Sequence, residues 1–229
     1  MDIRSKLSSN DLVEISNLDS VNLMVSNSLV NDSEYLIEVV KKAQSNIINF
    51  ALENNLNNIV RKTFIDKVQI YDSHEKFVKD IIETFNLDEN TMLPQTFSAT
   101  IKDRILYSIS PELYNKTYPI EGFDNNGFER LLTHELAHSM HIHMLNGDED
   151  KMGPVWFFEG FAIYVAKQFP NFTCSESVIW EIIDNQKEVS YQYYSCIFKY
   201  LLQYITLQEL IEYSSEIDFV NWLKIKNNT

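Results

Sequence analysis

Two histidines four residues apart are the feature that most constrains how this chain of 229 residues folds. His134 and His138 frame the run HELAH at residues 134–138. Residues four apart on an α-helix project from the same face with Cβ atoms about 5–6 Å apart, so both imidazoles can bind one tetrahedral metal ion. The pattern therefore requires a helix at this position and a third ligand from another part of the chain.

Apolar residues around this run recur at the spacing of a helix. They are Phe128, Leu131, Leu132, Leu136, Met140 and Met144. This periodicity predicts a helix over residues 126–145 with one side in the core. Asn146 and Gly147 follow the last turn, where residues that tolerate a left-handed backbone end helices. Both histidines are therefore expected in the middle of a helix, at the edge of its buried face.

Glu135 follows the first histidine, so its carboxylate is expected beside a water held by the metal. A metal ion lowers the pKa of such a water from about 15.7 toward about 7, and a neighbouring carboxylate can accept the proton. A catalytic zinc usually has three protein ligands and leaves its fourth position to water. The chain must therefore supply one ligand beyond the two histidines.

Two patterns compete for that third ligand. In HExxHxxGxxH, a glycine turns the chain toward a third histidine, but these two positions are His141 and Met144 here. In the second pattern, a glutamate comes from a helix further downstream, and residues 156–164 (WFFEGFAIY) form such an apolar segment. We therefore predict Glu159 as the third ligand. The small Gly160 is expected to let this helix approach the first one closely.

HELAH followed by EGFA resembles the paired motifs of the gluzincin zinc metallopeptidases, the thermolysin-like and peptidase MA-like group. The resemblance covers residues 128–165 closely and implies one Zn²⁺ per chain with His134, His138 and Glu159 as its ligands. It also implies Glu135 as the general base. The implied fold is α+β and zincin-like: a small mixed sheet with an edge strand over the active-site helix, followed by a helical C-terminal lobe.

One position departs from the thermolysin form of the second motif. That form has an acid four residues after the glutamate ligand, where this chain has Ile163. The EGxA form of aminopeptidase-like and MA-like relatives is the closer match. A carboxylate that orients a ligand histidine would then have to come from elsewhere in the chain.

Members of this group often have a downstream tyrosine that donates a hydrogen bond to the oxyanion of the tetrahedral intermediate. Three candidates, Tyr191, Tyr193 and Tyr194, lie at the start of a predicted apolar helix. We favour Tyr191 as the donor, then Tyr194, with Tyr193 as the remaining alternative. The other interpretation is that all three pack in an aromatic-rich helical bundle, because buried tyrosine is common.

Upstream, the chain has the patterns expected of a substrate groove. Residues 68–71 have the pattern of a strand, and residues 72–85 that of a helix capped by Asp72. Residues 96–100 and 104–109 alternate polar and apolar side chains, which predicts a hairpin turning at residues 101–103. Its outer strand would receive an extended peptide through unpaired backbone groups. An ordinary structural hairpin is the alternative.

Domain organisation follows from the length and from the scarcity of glycine and proline, with five of each. We expect residues 1–30, rich in Asn and Ser, to be partly mobile, and residues 33–54 to form an amphipathic helix. Residues 31–229 are expected to form one metallopeptidase domain. Its upper α/β lobe would span about residues 31–145, and its lower helical lobe about residues 146–229.

Beyond residue 174 the chain has the patterns of helices, with a predicted capping box at Thr206 and Glu209. Cys174 and Cys196 are too few and too far apart to indicate a disulfide scaffold. We expect them to be free core thiols, with a single bridge as the alternative.

The net charge of −14 argues against a nucleic-acid partner, because phosphate binding needs basic stripes that this sequence lacks. No apolar run approaches the roughly 20 residues of a membrane span, and residues 1–20 lack the apolar segment of a secretion signal. We therefore expect a cytoplasmic protein, or a secreted one if a leader has been removed.

The remaining histidines need a separate interpretation. His141 follows His138 by three residues and lies on the metal-facing stripe of the helix. We expect a partly exposed surface histidine, with a role in tuning the site as the alternative. His74 and His143 are expected at the surface.

Together these patterns predict zinc-dependent hydrolysis of a peptide or protein substrate. The aminopeptidase signature GxMEN, which holds a substrate amine, is absent from the sequence, so we favour an endopeptidase. One alternative is an aminopeptidase-like exopeptidase. The other is a catalytically inactive zinc-binding protein that acts as a binding or regulatory module, although a purely structural site needs no base such as Glu135.

Overall fold

The computed structural model describes residues 12–18, 21–56, 63–118 and 126–227. These residues form five β-strands and nine α-helices. The strands are β1 (Leu12–Leu18), β2 (Val21–Ser26), β3 (Lys67–Tyr71), β4 (Ala99–Lys102) and β5 (Ile105–Ile109). The helices are α1 (Ser33–Glu53), α2 (His74–Phe85), α3 (Pro111–Thr117), α4 (Gly127–Met144), α5 (Val155–Val165), α6 (Glu176–Asn185), α7 (Tyr191–Leu201), α8 (Leu207–Tyr213) and α9 (Phe219–Asn227).

The strands form one mixed sheet in the order β1-β2-β3-β5-β4. β3 pairs in parallel with both β2 and β5, and the two outer strands pair antiparallel with their neighbours. Leu23, Val68 and Leu106 are aligned across the three central strands and are almost completely buried. Strands that pair in parallel are usually buried and need apolar side chains at the sheet centre. These three residues supply them.

The predicted hairpin is present, but its turn lies later than the sequence pattern indicated. Ile101 and Lys102 still pair within β4, opposite Leu106 and Ile105. The turn is made by residues 103–104, whose φ angles are +49° and +63°. Two left-handed residues in succession match the twist of a tight antiparallel hairpin. β4 is the last strand in the order of the sheet and so is an edge strand.

The first thirty residues contain two strands that the sequence analysis missed. Val21, Leu23 and Val25 on β2 are fully buried, so this part of the segment belongs to the core. The apolar alternation of β2 covers only six residues, and its parallel partner β3 lies far along the chain. Short-range periodicity therefore carries little signal here. The expected mobility of residues 1–11 and 19–20 falls outside the described residues.

Two helix predictions upstream of the HELAH run agree closely with the structure. α1 ends one residue before the predicted limit, and its predicted core positions are all buried: Leu36, Val40, Ala43, Ile47, Phe50 and Ala51. The predicted cap of α2 is wrong by one residue. Ser73, rather than Asp72, is the N-cap, and its side chain accepts a hydrogen bond from the Lys76 backbone. The Asp72 side chain instead accepts hydrogen bonds from Ser28 and Lys76.

The C-terminal part is helical, as predicted, and the capping box of α8 at Thr206 and Glu209 is confirmed. The prediction of free thiols is wrong, because Cys174 and Cys196 form a disulfide. Two cysteines 22 residues apart meet because the segment before α6 runs back along α7. Sequence spacing alone contains no such information.

The described residues fall into two compact units. The first unit combines the described parts of Met1–Lys42 and Ile65–Leu132 and contains the whole sheet. The second combines the described parts of Ala43–Phe64 and Thr133–Thr229 and contains the C-terminal helices. The predicted α+β class, with a small mixed sheet and a helical C-terminal part, is thus confirmed. The predicted boundary between two lobes stays a prediction.

Among the described helices, we find none that combines the length and the apolar character needed to cross a membrane.

Candidate metal centre

α4 holds the two histidines of the HELAH run in the predicted way. The buried Phe128, Leu132, Leu136 and Met140 place one side of the helix in the core. His134 and His138 lie at the edge of that side, with their Nε2 atoms 3.1 Å apart. Helical spacing alone therefore brings the two imidazoles together.

Glu159 comes to the same point from α5. This helix starts after Pro154, and it is apolar along its whole length apart from the glutamate. Glu159 Oε2 lies 3.2 Å from His134 Nε2 and 3.8 Å from His138 Nε2. The side chain is only 14% exposed. A carboxylate in such surroundings needs a cationic or metal partner to offset the loss of water.

We define the metal cluster as His134, His138 and Glu159, whose candidate ligand atoms all lie within 4.8 Å of one another. Ligands about 2.0–2.1 Å from a tetrahedral Zn²⁺ lie about 3.3–3.4 Å apart, close to the three distances observed. Glu159 Oε2 is buried, and no described residue offers it a hydrogen bond of good geometry. The cluster can therefore hold a metal ion in its present geometry.

The protonation of the cluster suits metal binding. Burial lowers the pKa of His138 to about 3, and the neighbouring His134 adds to this effect, so His138 is a neutral imidazole. Burial raises the pKa of Glu159, but His134, His138 and the Tyr191 hydroxyl together lower it below its ordinary value. A neutral imidazole and an ionised carboxylate are the forms that bind metals.

His134 differs from His138 because it interacts directly with the carboxylate. Burial acts to lower its pKa, but the contact with Glu159 and the charge of Glu135 outweigh burial and raise the pKa. In the protein without a metal, the Glu159 carboxylate therefore favours a second proton on His134, at the Nε2 atom that faces it. A divalent cation at the same point would replace that proton.

The Glu135 carboxyl lies close enough to the cluster for its pKa to respond to two members of it. Burial raises this pKa to about 7, the charge of His134 opposes the rise, and the charge of Glu159 adds to it. A carboxyl group with a pKa near neutrality can both accept and release a proton at physiological pH.

The structure places a residue beside the cluster that the sequence analysis missed. Gln168 Oε1 lies 3.0 Å from His134 Nδ1, the ring nitrogen that faces away from the cluster. Ile163, at the position of the thermolysin-type acid, is fully buried instead. The only sequence signal for Gln168 is its place just beyond the end of the predicted second helix.

The three candidate tyrosines have different surroundings. Tyr191 is the first residue of α7, its ring centroid lies 6.1 Å from that of His134, and its hydroxyl contributes to the lowered pKa of Glu159. Tyr194 is buried, and its hydroxyl accepts a hydrogen bond from the Val189 backbone. The structure thus brings Tyr191 to the metal cluster. Its role as oxyanion donor stays a prediction.

Tyr193 has a mainly packing environment, as its ring lies edge-on to Phe172 at 5.1 Å. The interpretation that the tyrosines pack a helical bundle therefore fits Tyr193 and Tyr194 better than Tyr191, which is 50% exposed.

Gly160 permits a close approach, but the partner helix differs from the prediction. A Cβ at this position would lie 2.9 Å from the backbone oxygen of Tyr194 and 3.3 Å from Phe198 Cβ. α5 therefore packs tightly on α7 at this point. The expectation that Gly160 serves the approach to the first helix is corrected, because the residue faces the helix that carries Tyr191.

The expectation that His141 is a surface histidine is wrong. Its side chain is fully buried, with ring centroids 5.7 Å from Phe157 and 4.9 Å from Phe161. Neither ring nitrogen has a hydrogen-bond partner within the described parts of the chain. Burial lowers the pKa of His141 to about 4, so the ring is neutral at physiological pH.

The other two histidines are half-buried rather than exposed. His74 begins α2, and its Nε2 lies 3.2 Å from the Phe97 carbonyl oxygen. The His143 ring packs edge-on against Phe64.

No protein-family model, no curated protein and no solved structure matches this chain. The site itself defines the class: a protein with a possible metal-binding group of two histidines, spaced as in HExxH, and one glutamate.

Proposed function

We propose that the protein is a gluzincin-type zinc metallopeptidase that hydrolyses peptide bonds. The observation that carries the proposal is the convergence of Glu159 on two imidazoles of one helix, with Glu135 directly beside them in the chain. Two histidines and a carboxylate form the ligand set of catalytic zinc sites that leave one position open. The resemblance of HELAH and EGFA to gluzincin motifs supports the same assignment, and with it a zincin-like arrangement of the fold.

In this proposal His134, His138 and Glu159 hold Zn²⁺, which when bound would supply a Lewis acid for the scissile carbonyl and a lowered pKa for water. Glu135 accepts a proton from the attacking water on its carboxylate. It then delivers that proton to the nitrogen of the leaving amine. One buried carboxyl group thus acts first as general base and then as general acid.

Tyr191 is the proposed oxyanion donor. Its hydroxyl interacts with Glu159, and its side chain is half exposed, so the hydroxyl can also meet a bound substrate. An oxyanion donor stabilises the charge that develops on the carbonyl oxygen, and removal of one such donor typically costs a factor of about 10²–10³ in rate.

The proposed substrate is a peptide or protein, cleaved within the chain. β4 is an edge strand of the kind that pairs with extended peptides, and the GxMEN signature of aminopeptidases is absent from the sequence. An aminopeptidase-like exopeptidase is the alternative within the same class.

The disulfide favours the secreted alternative over the cytoplasmic prediction. Disulfides such as Cys174–Cys196 persist in oxidising compartments and are rare in reducing ones. We therefore include an oxidising compartment in the proposal. Oxidation of the two thiols in freshly isolated native protein, measured by thiol trapping, is the expected result.

A zinc-binding protein without turnover is the competing function. Zinc content and cleavage of an unbiased peptide library, measured after chelation and zinc addition, separate the two. We expect one zinc per chain and cleavage within library peptides. Glu135→Gln should retain zinc while cleavage falls by a factor of about 10²–10⁴.

Glu129→Gln, on the same helix, is the matched control and should cleave at the wild-type rate. Zinc binding without cleavage in every protein would support the competing function. Undiminished cleavage by Glu135→Gln would exclude the proposed general base.

A further inference from the structure

We propose that Gln168 is the positioning residue of the metal cluster. Its Oε1 accepts a hydrogen bond from His134 Nδ1 and so holds the ring in the tautomer whose Nε2 can bind a metal. The inference rests on the metal-binding part of the proposed function, and it requires no particular reaction at the site.

The donor and acceptor groups of the two side chains set the direction of this hydrogen bond. A neutral imidazole has one N–H donor and one acceptor nitrogen, and an amide oxygen can only accept. The 3.0 Å contact to Oε1 therefore requires the hydrogen on Nδ1 of His134. The lone pair is then on Nε2, which points at His138 Nε2 and Glu159 Oε2.

The end of α5 sets the position of Gln168. Lys167 has a left-handed backbone with φ of +53°, and its N–H donates to the Tyr164 carbonyl. The Gln168 N–H donates to the Ile163 carbonyl at 3.0 Å. These two bonds form a Schellman motif, the standard way to end a helix with a left-handed residue. Glu159 and Gln168 are thus fixed to the same helix.

α7 holds the segment after that motif from the other side. Ser195 Oγ donates to the Gln168 carbonyl at 3.5 Å, and Lys199 Nζ donates to the Phe169 carbonyl at 2.8 Å. The Cys174–Cys196 disulfide joins the end of the same segment to α7. Both the N–H and the carbonyl of Gln168 are therefore hydrogen-bonded. This fixes its backbone, as a positioning residue requires.

Gln168 also explains how the site functions without the acid of the thermolysin-type motif. Ligand histidines usually donate their second N–H to a carboxylate, a carbonyl or water, which orients the ring. Here a neutral amide takes this role for His134. A carboxylate in its place would make the imidazole a stronger ligand, so Gln168→Glu should bind zinc at least as tightly as the wild type.

Zinc affinity, measured by competition with a chromophoric chelator, tests the inference. We expect Gln168→Leu to bind zinc about 10–100-fold more weakly, the usual cost of removing such a partner. Gln168→Glu should restore or exceed wild-type affinity. Gln203→Leu, at an exposed glutamine beyond α7, should not change it. Equal affinities for Gln168→Leu and wild type would overturn the inference.

The tautomer of His134 in the metal-free protein provides a second readout. Histidine ¹⁵N spectra at alkaline pH should show the proton of His134 on Nδ1 in the wild type and a shift toward Nε2 in Gln168→Leu. A wild-type proton on Nε2 would mean that the amide group of Gln168 donates instead, which overturns the inference.

Zinc affinity and the His134 tautomer test different claims. If the wild type bound no zinc, the proposed function would fail, while the tautomer would still decide whether Gln168 orients His134. Thermal unfolding of each metal-free variant identifies any general loss of folding.

Discussion

His138 and His141 lie three residues apart on α4 and are both largely or fully buried, yet they face opposite kinds of chemistry. His138 faces His134 and the carboxylate of Glu159. His141 faces the rings of Phe157 and Phe161, which we call the aromatic pocket. Glu159, Phe157 and Phe161 are all supplied by α5, whereas His134 lies on α4 itself. Burial alone therefore does not mark a histidine as a candidate metal ligand. The side chains that it faces do.

Metal binding provides the largest expected difference between the two histidines. His138→Ala removes one of the three proposed ligands and should abolish stoichiometric zinc binding, since even partners outside the ligand set are worth about 10–100-fold in affinity. His141→Leu should leave zinc affinity unchanged, because its ring packs against the aromatic pocket and is not a member of the metal cluster. Chelator competition measures both. Loss of zinc binding in His141→Leu would contradict the distinction between the two histidines.

Acid stability is the property through which His141 should have its main effect. Its pKa is about 4 in the folded protein, against 6.5 for a free histidine. Between these values the unfolded chain binds more protons, so stability decreases as the pH falls through about 6.5 toward 4. The full shift corresponds to about 3 kcal/mol of unfolding free energy.

His141→Phe should remove this dependence. We expect the variant's advantage in urea unfolding of the metal-free protein to grow as the pH falls from 7 to 4. His74→Gln, at a half-buried histidine of the first unit, is the control. An advantage that is constant with pH would show that His141 does not charge on unfolding.

Gly160→Ala should have the smallest of these effects and tests the face of α5 that packs on α7. Alanine favours a helix over glycine by about 1 kcal/mol, but overpacking a tight contact costs about 1–3 kcal/mol. The new Cβ would meet the backbone oxygen of Tyr194, which cannot move without the helix. We therefore expect a net loss of about 1 kcal/mol in thermal or urea unfolding. A gain in stability of similar size would mean that α7 shifts at little cost to make room for the added methyl group.

Local spacing was enough to predict the parts of the site that lie on helices. The HELAH helix, the helix of Glu159 and helix α1 agree with the structure within a few residues. In each case the apolar periodicity extends over several turns. The position of Tyr191 at the start of α7 also follows from its place before an apolar run.

Several features depended on residues that are distant in the chain. β2 pairs with a strand far downstream, and Cys174 meets Cys196 only because a loop returns along α7. Gln168 reaches His134 across 34 positions of sequence. No periodic pattern records such pairs, because each depends on how completed elements pack.

The sequence by itself determined that His134 and His138 share a helix face with Glu135 beside them, because a helical turn is set by neighbours in the chain. The second motif also predicted that Glu159 lies opposite that face. Only the tertiary structure decided the other groups: it placed Gln168 beside His134 and aromatic rings around His141. The reason is physical: local backbone geometry sets the direction of a side chain, whereas its partner is set by the packing of helices that are far apart in sequence.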